Sequence, residues 1–173
     1  MFRIFGIPVT VRPMFLFVTL FLGASSSTDP INIGIWFVVV FISILIHELG
    51  HALTGRAMGL EPQILLHGFG GLAIFSNPRD VDVSIPRSVA ITLAGPFAGF
   101  AFGALVYLAV YAGLARLDTP YLVTAISYLL WVNIGWGLVN LLPIMPLDGG
   151  QVVAAVLRRV PRGQLISYVV SAA

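Results

Sequence analysis

His47, Glu48 and His51, in the run ILIHELGHAL, are the residues whose types and spacing point most directly to chemistry. Four residues is about one helical turn, so in a helix both imidazoles project from one face with Glu48 beside them. Two neutral imidazoles so placed can grip one Zn²⁺, and a glutamate directly after the first can take a proton from a water at the metal. Only three His and two Glu occur in the 173 residues, so a shuffled chain would show this pattern on the order of once in a thousand. Glu48 is the sharpest member, because a lone carboxylate in an apolar helix is expensive unless a cation, a metal or water meets it. A metal-free Glu–His hydrogen-bonded pair is the competing reading of the same residues.

Catalytic zinc usually takes three protein ligands and a water, and the chain has no Cys, so a third ligand must be a carboxylate or another imidazole. The stretch NLLPIMPLDGGQVVAAVLRR offers Asp148 on a Gly-flanked turn where Pro143 and Pro146 break a helix. His47 precedes Arg56 by nine residues, about 14 Å of helix, and Asp148 precedes Arg158 by ten, about 15 Å, which puts the two at similar depth. Asn140 in the same stretch can be read as an interhelical hydrogen bond of about 1 kcal/mol. His67, Asp80 and Asp82 are competing third ligands. His67 reads more readily as a solvated or headgroup-facing ring, and the two aspartates alternate with Val81 and Val83 as on an exposed strand edge.

The elements that must position these groups lie in lipid. Hydrophobic residues make up 58% of the chain and charged ones 9%, with a mean hydropathy of +1.00. A soluble surface takes roughly 25–35% charged residues, so a water-soluble globule is excluded. The net charge is +2 and every base is Arg, which leaves no nucleic-acid footprint. Ile31 to Ile46, running on towards Met58, Ser88 to Ala115, and Tyr121 to Leu142 are long enough and apolar enough to span. Met14 to Ala24 spans only if Ser25, Ser26 and Ser27 continue its helix or the bilayer thins. A cleavable leader is the alternative for that segment, although Pro13 and IFGIPVTV suit a short extended arm better. GQLISYVVSAA reads as the opening of a further span.

Between the second and third spans, LEPQILLHGFGGLAIFSNPRDVDVSIP reads as a β-hairpin at the membrane surface, with QILLH and LAIFS as arms and Gly68, Gly70 and Gly71 in the turn. The expected fold is an all-α polytopic membrane protein with about four to five transmembrane helices and a small membrane-associated β-hairpin between helices 2 and 3. It forms a single domain over residues 1–173, with the C-terminus stopping before or within a further span. Placing the N-terminus in the cytoplasm puts Arg3, Arg12, Arg56, Arg79, Arg87, Arg158, Arg159 and Arg162 inside and Arg116 alone outside, as the positive-inside rule prefers.

HELGH at His47 to His51, NLLPIMPLDGG at Asn140 to Gly150, and LAGPFAG at Leu93 to Gly99 together resemble the site-2 protease family of intramembrane zinc metalloproteases, in its compact form without a PDZ insertion. That resemblance implies one Zn²⁺ held by His47, His51 and Asp148, Glu48 as catalytic acid/base, and Asn140 helping to hold the substrate backbone or oxyanion. It implies hydrolysis of peptide bonds in or near transmembrane segments of other membrane proteins, as in regulated intramembrane proteolysis. The setting is a multi-pass protein of the cell membrane with its active site towards the cytoplasm. The family often has Asn where this chain has Gly99; Gly95 and Gly99 read as a GxxxG packing pair without chemistry. A divalent-metal-binding membrane protein or transporter without hydrolytic activity is the alternative on the same residues.

Overall fold

Prolines open the helices. In α1 (Pro13–Ser26), α2 (Pro30–Ala57) and α4 (Pro120–Leu130) the proline is the first helical residue, where its missing N–H costs no bond. The Asp29 side chain accepts the Ile31 N–H at 2.9 Å and Thr119 Oγ1 accepts that of Leu122 at 3.3 Å, so α2 and α4 begin with capped donors. α3 (Ile85–Tyr111) carries Pro86 in its first turn and Pro96 within. The computed structural model describes residues 1–78, 80–81, 83–114 and 118–159.

Among the described residues, three helical stretches are long and apolar enough to cross a bilayer: Pro30–Ala57, Ile85–Tyr111 and Pro120–Asn140. The sequence led us to expect four to five. Ser25 and Ser26 do continue α1, their hydroxyls donating to the Phe21 and Leu22 carbonyls at 2.8 and 2.9 Å. Its 14 residues still reach only about 21 Å, short of a core of about 30 Å. The further span expected at GQLISYVVSAA lies outside the described residues, as do Arg79, Asp82, Arg116 and Arg162. The third stretch is not uniform: α4 passes into a π-helical segment, Trp131–Trp136, then α5 (Gly137–Asn140). After the proline-rich break comes α6 (Asp148–Val156).

The β-hairpin expected between the second and third helices forms, but two N-terminal strands widen it into a four-stranded sheet, so the chain is not all-α. Its strands are β1 (Phe2–Ile4), β2 (Ile7–Val11), β3 (Glu61–His67) and β4 (Gly70–Ser76), in that order across the sheet. β2 and β3 are parallel, with Val9 opposite Ile64; the other pairs are antiparallel. The extended N-terminal arm becomes strands because Phe5 and Gly6, both at positive φ, turn it back on itself, and because Ile7 and Val9 alternate inwards to full burial. Gly70 and Gly71 are not in the second turn, which Gly68 and Phe69 make; they pair with His67 and Leu66 inside β4. Asp80 is no strand residue either: it sits at φ 48° in a turn closed by its N–H to the Asn77 carbonyl at 3.2 Å.

Helix α2 is the hub, touching α1, α3, α4, β3 and β4. Its residues Leu45 and Ala52 join Ile7, Val9, Phe15, Ile64 and Leu66 in the main core. Phe17, Phe21, Val38, Leu105 and Trp131 face outwards, as lipid-facing side chains should. Because Leu66 is 0% exposed at the centre of the sheet-to-helix contact, Leu66→Ala should cost about 2–5 kcal/mol of stability, read as a lowered thermal midpoint in detergent or nanodiscs.

Candidate metal centre and its cavity

The two histidines of α2 meet Asp148 at the start of α6. His47 Nε2 lies 3.1 Å from Asp148 Oδ2, His51 Nε2 lies 3.5 Å from Asp148 Oδ1, and the two Nε2 atoms are 3.1 Å apart. His51 Nδ1–H donates to the Ile91 carbonyl of α3 at 2.8 Å. A carbonyl can only accept, so in the neutral ring the His51 proton is on Nδ1 and Nε2 presents a bare lone pair. That lone pair faces a second imidazole nitrogen and a carboxylate oxygen. One proton can serve one of these contacts, whereas a cation at the centre serves all of them.

The spacing suits zinc. Donors at about 2.0–2.1 Å from a tetrahedral Zn²⁺ stand roughly 3.3 Å from one another; the two imidazole nitrogens here are 3.1 Å apart, and each has one oxygen of the Asp148 carboxylate at 3.1 or 3.5 Å. Two imidazoles and one carboxylate also form one of the donor sets of catalytic zinc sites, with one position left open. The ligand-capable atoms of His47, Glu48 and His51 all lie within 4.8 Å of one another, so Glu48 stands at the same centre. Its carboxylate accepts the Ala73 backbone N–H of β4. Asn140 at the end of α5 turns its Nδ2 towards both His47 Nε2 and Asp148 Oδ2, each at 3.4 Å. All five sequence candidates are therefore brought together, while Asp80 lies in its surface turn. His67 lines the same cavity, with its Nδ1 accepting the Phe69 N–H at 3.3 Å, rather than standing wholly in solvent.

The groups front a cavity of about 380 Å³ between α2, β4, the π segment and the start of α6. Its walls include Ser43, Gly71, Leu72, Gly99, Asn133 and Gln151 as well as His47, Glu48, Asn140 and Asp148, while His51 lines a smaller pocket behind them. Several of these contributions escaped the sequence reading. Gly95 is more than a packing residue: a Cβ there would come within 2.2 Å of His51 Nε2. A Cβ on Gly50, inside HELGH, would meet the Ala94 carbonyl at 2.4 Å, so α2 and α3 touch backbone to backbone behind the histidines. A Cβ on Gly71 would strike the Glu48 side chain. The one signal available for Asn133 was an amide inside an otherwise apolar span.

Residues 115–173 match the family model of peptidase family M50. A zinc metalloprotease of Methanocaldococcus jannaschii is 30% identical over 163 residues, covering 92% of this chain and 45% of that protein. A protein of Synechocystis, provisionally named a zinc metalloprotease, is 32% identical over 179 residues, covering 93% of this chain and 44% of its own. The chain thus spans less than half the length of either curated relative. Among solved structures, the site-2 protease from Methanocaldococcus jannaschii matches 96% of this chain and 76% of its own with a TM-score of 0.68 at 24% identity, a likeness of fold.

The glycine contacts separate two neighbouring positions. Gly95→Ala should lower bound zinc at least tenfold after dialysis, because its methyl displaces the His51 ring. Gly99→Ala, whose Cβ has 3.4 Å of room, should retain the metal; metal analysis of the purified variants reads both.

Proposed function

We propose, from the premise that this chain belongs to the site-2 protease family of zinc metalloproteases, that it hydrolyses peptide bonds in or near the transmembrane segments of other membrane proteins, the cleavage step of regulated intramembrane proteolysis. The observation that carries this reading is the convergence of two imidazoles, that of His51 with its Nε2 lone pair bare, and of the Asp148 and Glu48 carboxylates beside a cavity walled by apolar helices. In it His47, His51 and Asp148 hold one zinc ion, and residues 1–173 act as one transmembrane metalloprotease domain. The ion supplies Lewis-acid polarisation of the scissile carbonyl and makes water a nucleophile near neutral pH.

The remaining steps belong to the chain's own residues. Glu48 takes the proton of the attacking water and returns it to the leaving amine. Asn140, with its Nδ2 already at the centre, donates to the oxygen that gains charge. Ala73 N–H turns to Glu48 rather than to β3, so the free edge of β4 faces the reacting groups. An unwound substrate can add there as a further strand, its own N–H and C=O groups paired while the helix is open. The proline- and glycine-interrupted backbone between α5 and α6 is where water reaches the site without exposing unpaired peptide groups to lipid. The arginine distribution supports a multi-pass cell-membrane protein with a cytoplasmic N-terminus and a site opening towards that side.

Glu48→Gln decides between this reading and a metal carrier without hydrolysis. The variant should keep its zinc and lose cleavage of a model transmembrane substrate by about 10²–10⁴-fold; a carrier would show no cleavage in the unsubstituted protein. Because a helical substrate hides its peptide bonds, helix-breaking Gly or Pro near the scissile bond should raise the cleavage rate. A poly-Leu replacement of the same segment should lower it tenfold or more, both read by gel assay in nanodiscs.

A further inference from the structure

One turn deeper than the metal centre, the cavity holds a second polar station that the hydrolytic scheme leaves unused. Asn133, in the π-helical segment, is 3% exposed and lines the same cavity as His47 and Glu48. Its Nδ2 donates to Ser43 Oγ of α2 and to the Leu129 carbonyl, both at 2.8 Å. A carbonyl accepts only, so the amide cannot be flipped and Oδ1 is fixed on the opposite side. That oxygen is buried without a hydrogen-bond partner. It is turned to Gly99, another cavity-lining residue, where even a Cβ would stand 3.7 Å away. A buried acceptor in apolar surroundings carries a free-energy cost until a donor arrives. Within helices, π segments are often found at functional sites for this kind of reason.

We propose that Asn133 Oδ1 accepts a peptide N–H of the unwound substrate about two residues from the scissile bond on the membrane-interior side, with Ser43 holding the amide in register. This rests on the protease reading above. Ser43 precedes His47 by four residues, about 6 Å along α2, and an extended peptide advances about 3.3 Å per residue. A strand whose scissile carbonyl is at the metal centre therefore brings the second residue inwards level with Ser43 and Asn133. Gly99 leaves that part of the wall without a side chain, so a substrate backbone can approach it closely. An extended peptide in lipid needs such partners, since each unpaired N–H it carries is otherwise stranded.

The test is an amide-to-ester scan, which deletes one N–H at a time from a transmembrane peptide. Binding is measured to the full chain in nanodiscs, in a Glu48→Gln background so that nothing is cut. The proposal expects one ester, about two residues from the bond that the unsubstituted protein cleaves, to weaken binding about tenfold. That penalty should vanish in Asn133→Leu. Gly99→Ser, whose hydroxyl comes within reach of the same oxygen, keeps Asn133 in place and should abolish the penalty too, which guards against a leucine variant that fails to fold. A scan with no sensitive position, as when a water serves Oδ1, overturns the proposal; so does a penalty that persists unchanged in both variants. Cleavage of the parent peptide is read separately, so failed hydrolysis counts against the protease reading and failed coupling against this one.

Discussion

Electron-pair donors crowded into an apolar interior repel one another unless something positive sits among them. Here His47 Nε2 and His51 Nε2 stand 3.1 Å apart, each within 3.1 to 3.5 Å of one oxygen of the Asp148 carboxylate, and the hydrogen bond from His51 Nδ1–H to Ile91 takes the His51 proton away from the crowded side. Much of the remaining architecture can be understood as what is needed to hold that arrangement. The first two donors come from one turn of one helix, which is locally cheap. The third comes from a residue a hundred positions later, so α3, the π segment and the proline-rich break must together bring α6 back to α2.

The rigidity of that return depends on backbone contact more than on side-chain interlocking. Where α2 crosses α3, Gly50 and Gly95 let the Ala94 carbonyl and the His51 ring occupy space that methyl groups would otherwise claim. On the opposite side the sheet presses β4 against Glu48 through Gly71, and the Ala73 N–H meets the carboxylate. Glu48 is therefore held between the two imidazoles and a strand edge, a placement suited to proton transfer and hard to justify in a helix built only to cross lipid.

The legible features were local ones. HELGH announces its own geometry because helix periodicity alone aligns the two imidazoles, and Asp148 could be matched to them by counting residues back from flanking arginines. Pro30 and Pro120 marked helix starts for the equally local reason that proline fits the first helical position. What stayed hidden depends on partners distant in the chain. GIPVTV becomes a strand by parallel pairing with β3, more than fifty residues on, and a five-residue strand with no neighbour in view reads as an arm. Gly95 looked like half of a packing motif because nothing in LAGPFAG says that an imidazole lies opposite. The π turn leaves no local mark at all, and with it went Asn133.

That wide turn makes the third span a matter of residue count as well as of composition. A π segment holds one residue more than an α-helix would use over the same hydrogen-bonded turn. Asn133 within that segment and Asn140 after it are anchored to α2 at Ser43 and His47. Coiling the same residues as a regular α-helix would swing everything before the segment by about 100° about the axis relative to everything after it. The helix would gain in regularity while its two asparagines ceased to face α2 together, so the irregular coil serves as a phase adjuster between the outer and inner halves of the wall.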